Sequence, residues 1–225
     1  MIAKFFSLRA LVIAFGALSL AGVAAAQSYK VAASTAAVPS ELAAPVRAAL
    51  SGSALEVSGG SGPLCEIWLA KSAQAAATPD TSLGVSFGQI AQGSLVGAIK
   101  FDANASDYRG QAIKPGVYTL RYMLQPVDGN HQGVSPYRDY LLAVPAAADT
   151  SAATMATKDL LDASRKASGT GHPSVWSLEP PDSPPASLPA IVHQDSDDSW
   201  VVFFPAPVAK PVPMGLIVVG HSPES

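Results

Sequence analysis

Short segments in which apolar and polar residues alternate, separated by turn residues, constrain the fold of this chain more than any other feature. In residues 116–125, tyrosine and leucine residues at every second position share one face, as they do in a strand. Similar segments cover residues 54–57, 64–70, 94–101, 139–144, 175–178, 190–193, 200–204 and 214–220. This pattern predicts a mainly β fold, an antiparallel β-sandwich of about eight or nine short strands.

Two segments have helical rather than strand periodicity. The first is predicted to begin near Ser40, because apolar residues recur at i, i+4 and i+8 from Leu42, and to end before Gly52. The second is predicted over Thr157–Ser168, where an acidic residue lies early, basic residues lie late, and Gly169 follows as a stop signal. The sandwich is therefore expected to carry two short helices.

The N-terminus has the three parts of a signal peptide. Lys4 and Arg9 form a positive region, Leu11–Ala21 is an apolar run, and Ala24–Ala26 places small residues before a cut at Gln27. Cleavage there predicts an exported chain, periplasmic or extracellular. An uncleaved N-terminal anchor is the alternative.

The remaining chain is expected to form a single unit. Residues 27–39 are small and are predicted to form a flexible N-terminal segment, and residues 40–225 a single β-sandwich domain. No later stretch reaches the roughly 18 apolar residues of a membrane helix, which predicts a mature chain without a transmembrane span. The formal net charge of −3 provides no basic excess, which argues against a nucleic-acid partner.

One long polar connection is the best candidate for a binding surface. We call residues 125–139, between two predicted strands, the polar loop; it is longer than the two to five residues that an ordinary hairpin needs. Long loops on a rigid sandwich commonly carry binding groups. We therefore predict ligand-binding residues in this loop and in the turn after the second helix, namely Asp128, Asn130, His131, Arg138, Asp139 and His172.

Motifs for catalysis and cofactors are missing from the sequence. It has no HExxH, Walker or nucleophile-elbow motif and no dinucleotide loop, so neither a small hydrolase nor a cofactor is predicted. The single cysteine excludes an intramolecular disulfide, and Cys65 is predicted to be a buried, inert thiol, with an intermolecular disulfide or a reactive thiol as the alternative. The acidic run Asp195–Asp198 is predicted to be a solvated hairpin tip, and the proline-rich segment 180–185 a rigid loop.

A short segment carries a resemblance to known proteins. One segment resembles the Lys-Pro-Gly-x-Tyr-x-Leu edge motif found in prealbumin-like and carboxypeptidase-regulatory-like β-sandwich modules. Its residues are Lys114-Pro115-Gly116-Val117-Tyr118-Thr119-Leu120. Three further stretches are similar to exported bacterial proteins of unknown function, namely Asp128–Asp139, Gly171-His172-Pro173 and the terminal Val218–His221. The resemblance implies a β-sandwich and carries no catalytic residue to this chain.

These observations favour one function and keep an alternative. We expect a non-enzymatic binding or structural module of the cell envelope, whose partner is an envelope protein, a peptide or a saccharide. The alternative is a copper- or zinc-binding protein in which loops bring His131 and His172 together with Asp128. The histidines lack the spacing of a metal site on a single helix or strand, so such a site requires distant loops to converge.

Overall fold

The structure is a computed structural model and describes residues 28–128, 135 and 137–222; the predicted leader lies outside this range. Two α-helices, α1 (Ala44–Ala49) and α2 (Thr157–Ser168), accompany the strands. The strands are β1 (Lys30–Ser34), β2 (Leu50–Gly59), β3 (Gly62–Ala70), β4 (Leu95–Phe101), β5 (Ala105–Ser106), β6 (Ala112–Ile113), β7 (Gly116–Leu124), β8 (Asp139–Pro145), β9 (Val175–Glu179), β10 (Ala190–Gln194), β11 (Ser199–Pro205) and β12 (Pro213–Val219). The predicted mainly β fold with two helices is confirmed.

Ten of the strands form one sheet in the order β1-β2-β3-β4-β7-β8-β9-β12-β11-β10, and every neighbouring pair is antiparallel. The two short strands β5 and β6 pair with each other, separately from this sheet. The alternation of apolar and polar residues predicts nine of the ten strands of this sheet and misses β1. It also misses the separate short strands β5 and β6. The order is sequential from β1 to β9, but β12 then lies next to β9 and β10 lies at the edge.

The edge strand β1 lies within the range 27–39 that the sequence predicts to be flexible. It pairs with β2 from Lys30 opposite Ser58 to Ser34 opposite Ala54. Its residues are mostly small and show no clean alternation, so the periodicity that identifies the other strands is weak here. Backbone pairing to the long strand β2 orders this segment, which differs from the prediction.

The sheet curls so that its first and last strands approach each other. The ring of Tyr29, directly before β1, packs edge-on against Trp200 of β11 with the ring centres 5.3 Å apart. Closer to the middle, Phe101 of β4 stacks on Trp176 of β9 at 5.4 Å. One central core therefore takes buried side chains from both halves of the sheet, including Val57, Ile67, Ile99, Leu120, Val202 and Leu216.

The helix α2 covers the outer face of the sheet at β8. Leu160 and Ala163 on the helix pack against Leu142 and Val144 on the strand. Its bounds agree with the prediction, and Gly169 takes the left-handed conformation, with φ of 66°, that commonly ends a helix. In the described part of the chain, no helix combines the length and hydropathy needed to cross a membrane.

The helix α1 is shorter than predicted but buries the expected face. It begins after Ala43 rather than near Ser40, because Pro45 is tolerated only within the first turn. The chain is already extended at Leu50, which starts β2 in place of a third helical turn. Leu42, Val46 and Leu50 are nevertheless all buried in one cluster.

A buried ion pair fixes the connection between β8 and α2. Arg121 in β7 is fully buried, and its Nε and Nη2 donate to the two carboxylate oxygens of Asp149 at 2.6 and 2.8 Å. The remaining N–H groups donate to the carbonyl oxygens of Gly93, Ala153 and Ser151, at 2.6, 2.8 and 2.5 Å. All five guanidinium donors are therefore satisfied by the protein itself, as a buried arginine requires.

The single cysteine is buried in β3, as predicted. Cys65 is 3% exposed, and burial, with a smaller effect from the charge of Glu66, raises the pKa of its thiol. A thiol that remains protonated is a poor nucleophile. The structure therefore favours the inert interpretation over the reactive one.

Candidate functional site

The polar loop is closed at its base by Arg138. The backbone N–H of Gln125 donates to the carbonyl oxygen of Arg138 at 2.8 Å, and the guanidinium group of Arg138 donates back to the carbonyl oxygen of Gln125 at 3.2 and 3.0 Å. The hydroxyl of Tyr140 also donates to the side-chain oxygen of Gln125, at 3.0 Å. Arg138 was predicted as a ligand-binding residue; these bonds give its guanidinium group a positioning role at the loop base.

The neighbouring Asp139 also serves the protein itself. Its carboxylate is buried and accepts the backbone N–H groups of Ser86 and Phe87 at 2.7 and 3.0 Å and the hydroxyl of Tyr122 at 2.6 Å. Burial, followed by the charge of Asp139, raises the pKa of the Tyr122 hydroxyl. Both oxygens of this predicted ligand-binding residue are therefore occupied in holding the segment before β4.

Of the four remaining residues of the predicted site, the structure describes two, Asp128 and His172. Asp128 is exposed at the start of the polar loop, and Asn130 and His131 lie outside the described residues. Where the structure describes the chain, no three His, Cys, Asp or Glu side chains form a group that could hold a metal ion. The alternative of a copper or zinc site built on His131 stays a prediction.

A cleft of about 680 Å³ lies beside the end of β9, and we call it the acidic cleft. Among the described residues, its lining includes four carboxyl side chains, those of Glu179, Asp182, Asp195 and Asp197, and neither lysine nor arginine. Ser135 and Tyr137, from the end of the polar loop, also line it, together with Tyr108 and three prolines. The cleft therefore combines negative charge with aromatic and proline surfaces.

Glu179 lies at the floor of the acidic cleft and is only 5% exposed. It is the last residue of β9, and its Oε1 accepts a hydrogen bond from the side-chain amide of Gln194 at 2.5 Å. Burial raises the pKa of Glu179 to about 7, the hydrogen bond from Gln194 opposes this shift, and the charges of Asp197 and Asp182 add to it. The charge of the cleft floor therefore changes near neutral pH.

The β10–β11 hairpin forms the outer wall of the acidic cleft. His193 is held on both sides, with Nδ1 2.9 Å from Asp195 and Nε2 2.8 Å from Asp198, and its ring stacks on Trp200 at a centroid distance of 4.7 Å. The side chains of both aspartates are more than nine-tenths exposed, which confirms the predicted solvated hairpin tip. The same tip, however, forms part of a cavity wall, which its sequence does not indicate.

A second cavity, of about 350 Å³, lies between α2 and the ends of β7 and β8; we call it the basic groove. Arg109, Arg165 and His172 line it, together with apolar side chains such as Met123 and Leu161, and the part of its lining that the structure describes includes neither aspartate nor glutamate. Gln125 and Pro126, at the start of the polar loop, form another part of its wall. The polar loop therefore begins at one cavity and ends at the other.

Among the predicted ligand-binding residues that the structure describes, His172 alone lines one of these two cavities. It is exposed in the turn that follows α2. Its carbonyl oxygen accepts hydrogen bonds from the hydroxyls of Ser168 and Thr170, at 2.6 and 3.1 Å, and its backbone N–H donates to the Thr170 hydroxyl at 3.0 Å. These bonds fix the turn and leave the imidazole at the wall of the basic groove.

Sequence reasoning missed the acidic cleft. Its residues come from the β9 end, the proline-rich segment 180–185, the β10–β11 hairpin and Tyr108, which are distant in the sequence. The available signal was Glu179, an acidic residue that ends an alternating segment directly before two prolines. No protein-family model, curated protein or solved structure matches the chain. The chemistry of its own residues is therefore the basis for assigning a function to the site.

Proposed function

We propose that the protein is an exported, non-enzymatic binding module of the cell envelope, and that its acidic cleft holds a peptide with basic side chains. The observation that carries this proposal is the lining of the cleft, whose described residues include four carboxyl side chains and neither lysine nor arginine. Of the partner classes that the sequence favours, a basic peptide complements this charge best. A neutral saccharide provides no positive charge to complement these carboxylates.

The uncharged walls of the cleft also suit lysine and arginine side chains. These side chains have long apolar stems, which pack along aromatic and proline surfaces while the charged end reaches a carboxylate. Tyr108 and Tyr137 supply rings of the kind that also attract a cation at the ring face. Pro180 and Pro181 stiffen one wall, so that less conformational freedom is lost on binding.

The test is binding of a fluorescently labelled tetralysine peptide to the mature chain that begins at Gln27, followed by anisotropy at low salt. We expect saturable binding that added salt weakens, and no binding of tetraglutamate. The double variant Asp182→Asn/Asp197→Asn removes two lining charges and is expected to weaken binding by roughly three- to tenfold.

The matched control is Asp102→Asn/Asp159→Asn, which removes the same charge from exposed positions outside the cleft. It is expected to bind the peptide nearly as the parent chain does. If it loses as much affinity as the cleft variant, binding follows net charge alone and the cleft is not the site. Absence of binding at low salt overturns the proposal directly.

Export is part of the same proposal and is supported by the leader in residues 1–26. The test is mass spectrometry of the protein recovered from fractionated bacterial cells that express the full chain. We expect a mature form that begins at Gln27 in the periplasmic fraction or the medium. A chain that retains Met1 and stays with the membrane or cytoplasm contradicts export and cleavage.

We further propose that the curled sheet is a β-sandwich in the sense of the prealbumin-like modules that residues 114–120 resemble. Support comes from the stacking of Phe101 on Trp176 and from a single core shared by the first and last strands. The resembling segment leads into β7, which begins at Gly116 in the middle of the sheet. An experimental structure with a layer-by-layer comparison to those modules tests this proposal.

A further inference from the structure

The basic groove is not used by the proposed function and shares no lining residue with the acidic cleft. We propose that it binds a free single-chain carboxylate amphiphile, such as a medium-chain fatty carboxylate. The carboxylate group lies at Arg109 and Arg165, and the hydrocarbon chain lies on the apolar floor.

Arg109 supplies a positive charge to the wall of the basic groove. Its side chain is half-buried in the groove wall, and in the described part of the chain no carboxylate forms a salt bridge with it. Arg109 also acts on the nearby Tyr140. Burial raises the pKa of the Tyr140 hydroxyl to about 12, and the positive charge of Arg109 partly offsets this increase. An arginine held beside apolar surface favours an anionic ligand.

Arg165 is oriented by bonds that leave part of its guanidinium group for a ligand. Its Nη1 is 2.6 Å from Asp162, and its Nε donates to the carbonyl oxygen of Gly171 at 3.0 Å. These contacts use two of its three nitrogens and leave Nη2. Because the side chain is already fixed, little rotamer entropy remains to be lost when a carboxylate binds.

One face of α2 forms a wall that is polar at both ends and apolar in the middle. Thr157, Leu161 and Arg165 line the groove at i, i+4 and i+8, so they lie above one another on the helix. Met123 and Leu142 line the groove from the strands. A hydrocarbon chain on this floor leaves water, and each methylene that is buried raises affinity by up to about fourfold.

The volume of the groove selects among anionic amphiphiles. At about 350 Å³ it lies near the lower end of ligand sites, which range over about 300–1,000 Å³. A single short chain suits this volume, and a lipid with two long acyl chains does not. The proposal is therefore for the free carboxylate rather than a membrane surface.

The test compares three ligands by isothermal titration calorimetry with the mature chain: octanoate, acetate and octanol. We expect measurable binding of octanoate at one site. Acetate lacks the chain and octanol lacks the charge, so each is expected to bind at least about tenfold more weakly. Equal binding of octanol and octanoate, or no binding of octanoate, overturns the proposal.

Two variants locate the octanoate site. Arg109→Gln removes the positive charge without breaking a salt bridge to any described carboxylate, and it is expected to weaken octanoate binding by at least about tenfold. Leu161→Trp fills the groove and is expected to abolish octanoate binding. Lys166→Gln is the matched control, because it removes one positive charge from an exposed position outside the groove.

The control and a membrane assay complete the test. If Lys166→Gln weakens octanoate binding as much as Arg109→Gln does, the groove is not the site. Thermal unfolding followed by circular dichroism must show that both groove variants are folded before their binding is interpreted. Co-flotation with phosphatidylglycerol vesicles, without octanoate binding, assigns the surface to membrane lipid and also overturns the proposal.

Discussion

The carboxylate of Glu179 and the side-chain amide of Gln194 meet at 2.5 Å and join the end of β9 to the end of β10. Two strands, β12 and β11, lie between β9 and β10 in the sheet order, so the hydrogen bond reaches over both of them. Curvature of the sheet makes this contact geometrically accessible, and the same curvature creates the concave acidic cleft. The burial of Glu179 is therefore a consequence of the sheet shape.

The buried carboxyl group makes stability depend on pH. The pKa of Glu179 is raised from 4.5 to about 7 in the folded protein, so the folded state binds this proton more tightly than the unfolded state does. The resulting stabilisation is fully present below about pH 4.5 and is lost as the pH rises through about 7. We expect this group to lower the free energy of unfolding by roughly 2 kcal/mol between about pH 5 and about pH 8.

Urea unfolding of the Glu179→Gln variant at several pH values measures this contribution. The amide is uncharged and retains a hydrogen-bonding partner in Gln194, so the pH dependence over that range is expected to flatten. Glu41→Gln replaces an exposed glutamate outside the cleft and is expected to keep the parent slope. A Glu179→Gln variant that retains the full slope contradicts the assignment to this carboxyl group.

Peptide affinity is expected to change with pH in the opposite direction. When Glu179 loses its proton, the floor of the acidic cleft gains a negative charge, and a basic peptide binds more tightly. We expect the affinity for tetralysine to rise by about three- to fivefold from about pH 6 to about pH 8. Anisotropy titrations with the parent chain and with Glu179→Gln test this, and the variant is expected to show no such rise.

Replacing Arg121 is expected to destabilise the fold strongly. Lysine keeps the charge but cannot reproduce the two hydrogen bonds to Asp149 together with the three to backbone carbonyl groups. Arg121→Lys is expected to lower the free energy of unfolding by about 3 kcal/mol, measured by urea denaturation. The exposed replacement Lys158→Gln, which removes a surface ion pair, should leave it nearly unchanged. Equal effects of the two variants refute a special role for the buried pair.

Replacing Asp139 tests whether its carboxylate holds the backbone of Ser86 and Phe87 in place or binds a ligand. Its replacement by asparagine turns one acceptor oxygen into a donor facing an N–H or O–H group, and is expected to cost about 2 kcal/mol of unfolding free energy. Tyr122→Phe removes only one donor and is expected to cost about 1 kcal/mol. Hydrogen exchange of the Ser86 and Phe87 amides should accelerate in Asp139→Asn. Unchanged exchange at both amides argues against the positioning role.

Local signals in the sequence were sufficient for most of the secondary structure. The bounds of α2 agree because Gly169 marks its end in the left-handed conformation, and β7 agrees because its alternation places Tyr118, Leu120 and Tyr122 in the central core. The strand β1 was missed because small side chains give no periodicity and its order comes from backbone pairing with β2. The residues of a strand do not by themselves indicate which other strand it pairs with.

The candidate site was less accessible to sequence reasoning, because it depends on contacts between distant segments. The alternation in β7 places Arg121 on a strand, but nothing nearby indicates that Asp149 buries and neutralises it. Likewise, Glu179 and Gln194 are each ordinary polar residues until the sheet curvature brings them together. The described residues at the base of the polar loop mostly support the fold.

The position of β12 in the sheet determines when the β10–β11 hairpin can join the other strands. It is the last strand in the sequence, yet it lies between β9 and β11. Until β12 is available, the β10–β11 hairpin has no backbone pairing to the rest of the sheet, and the outer wall of the acidic cleft is not held in place. A chain that emerges N-terminus first therefore completes the outer wall of the acidic cleft only after β12 has been synthesised and has joined the sheet.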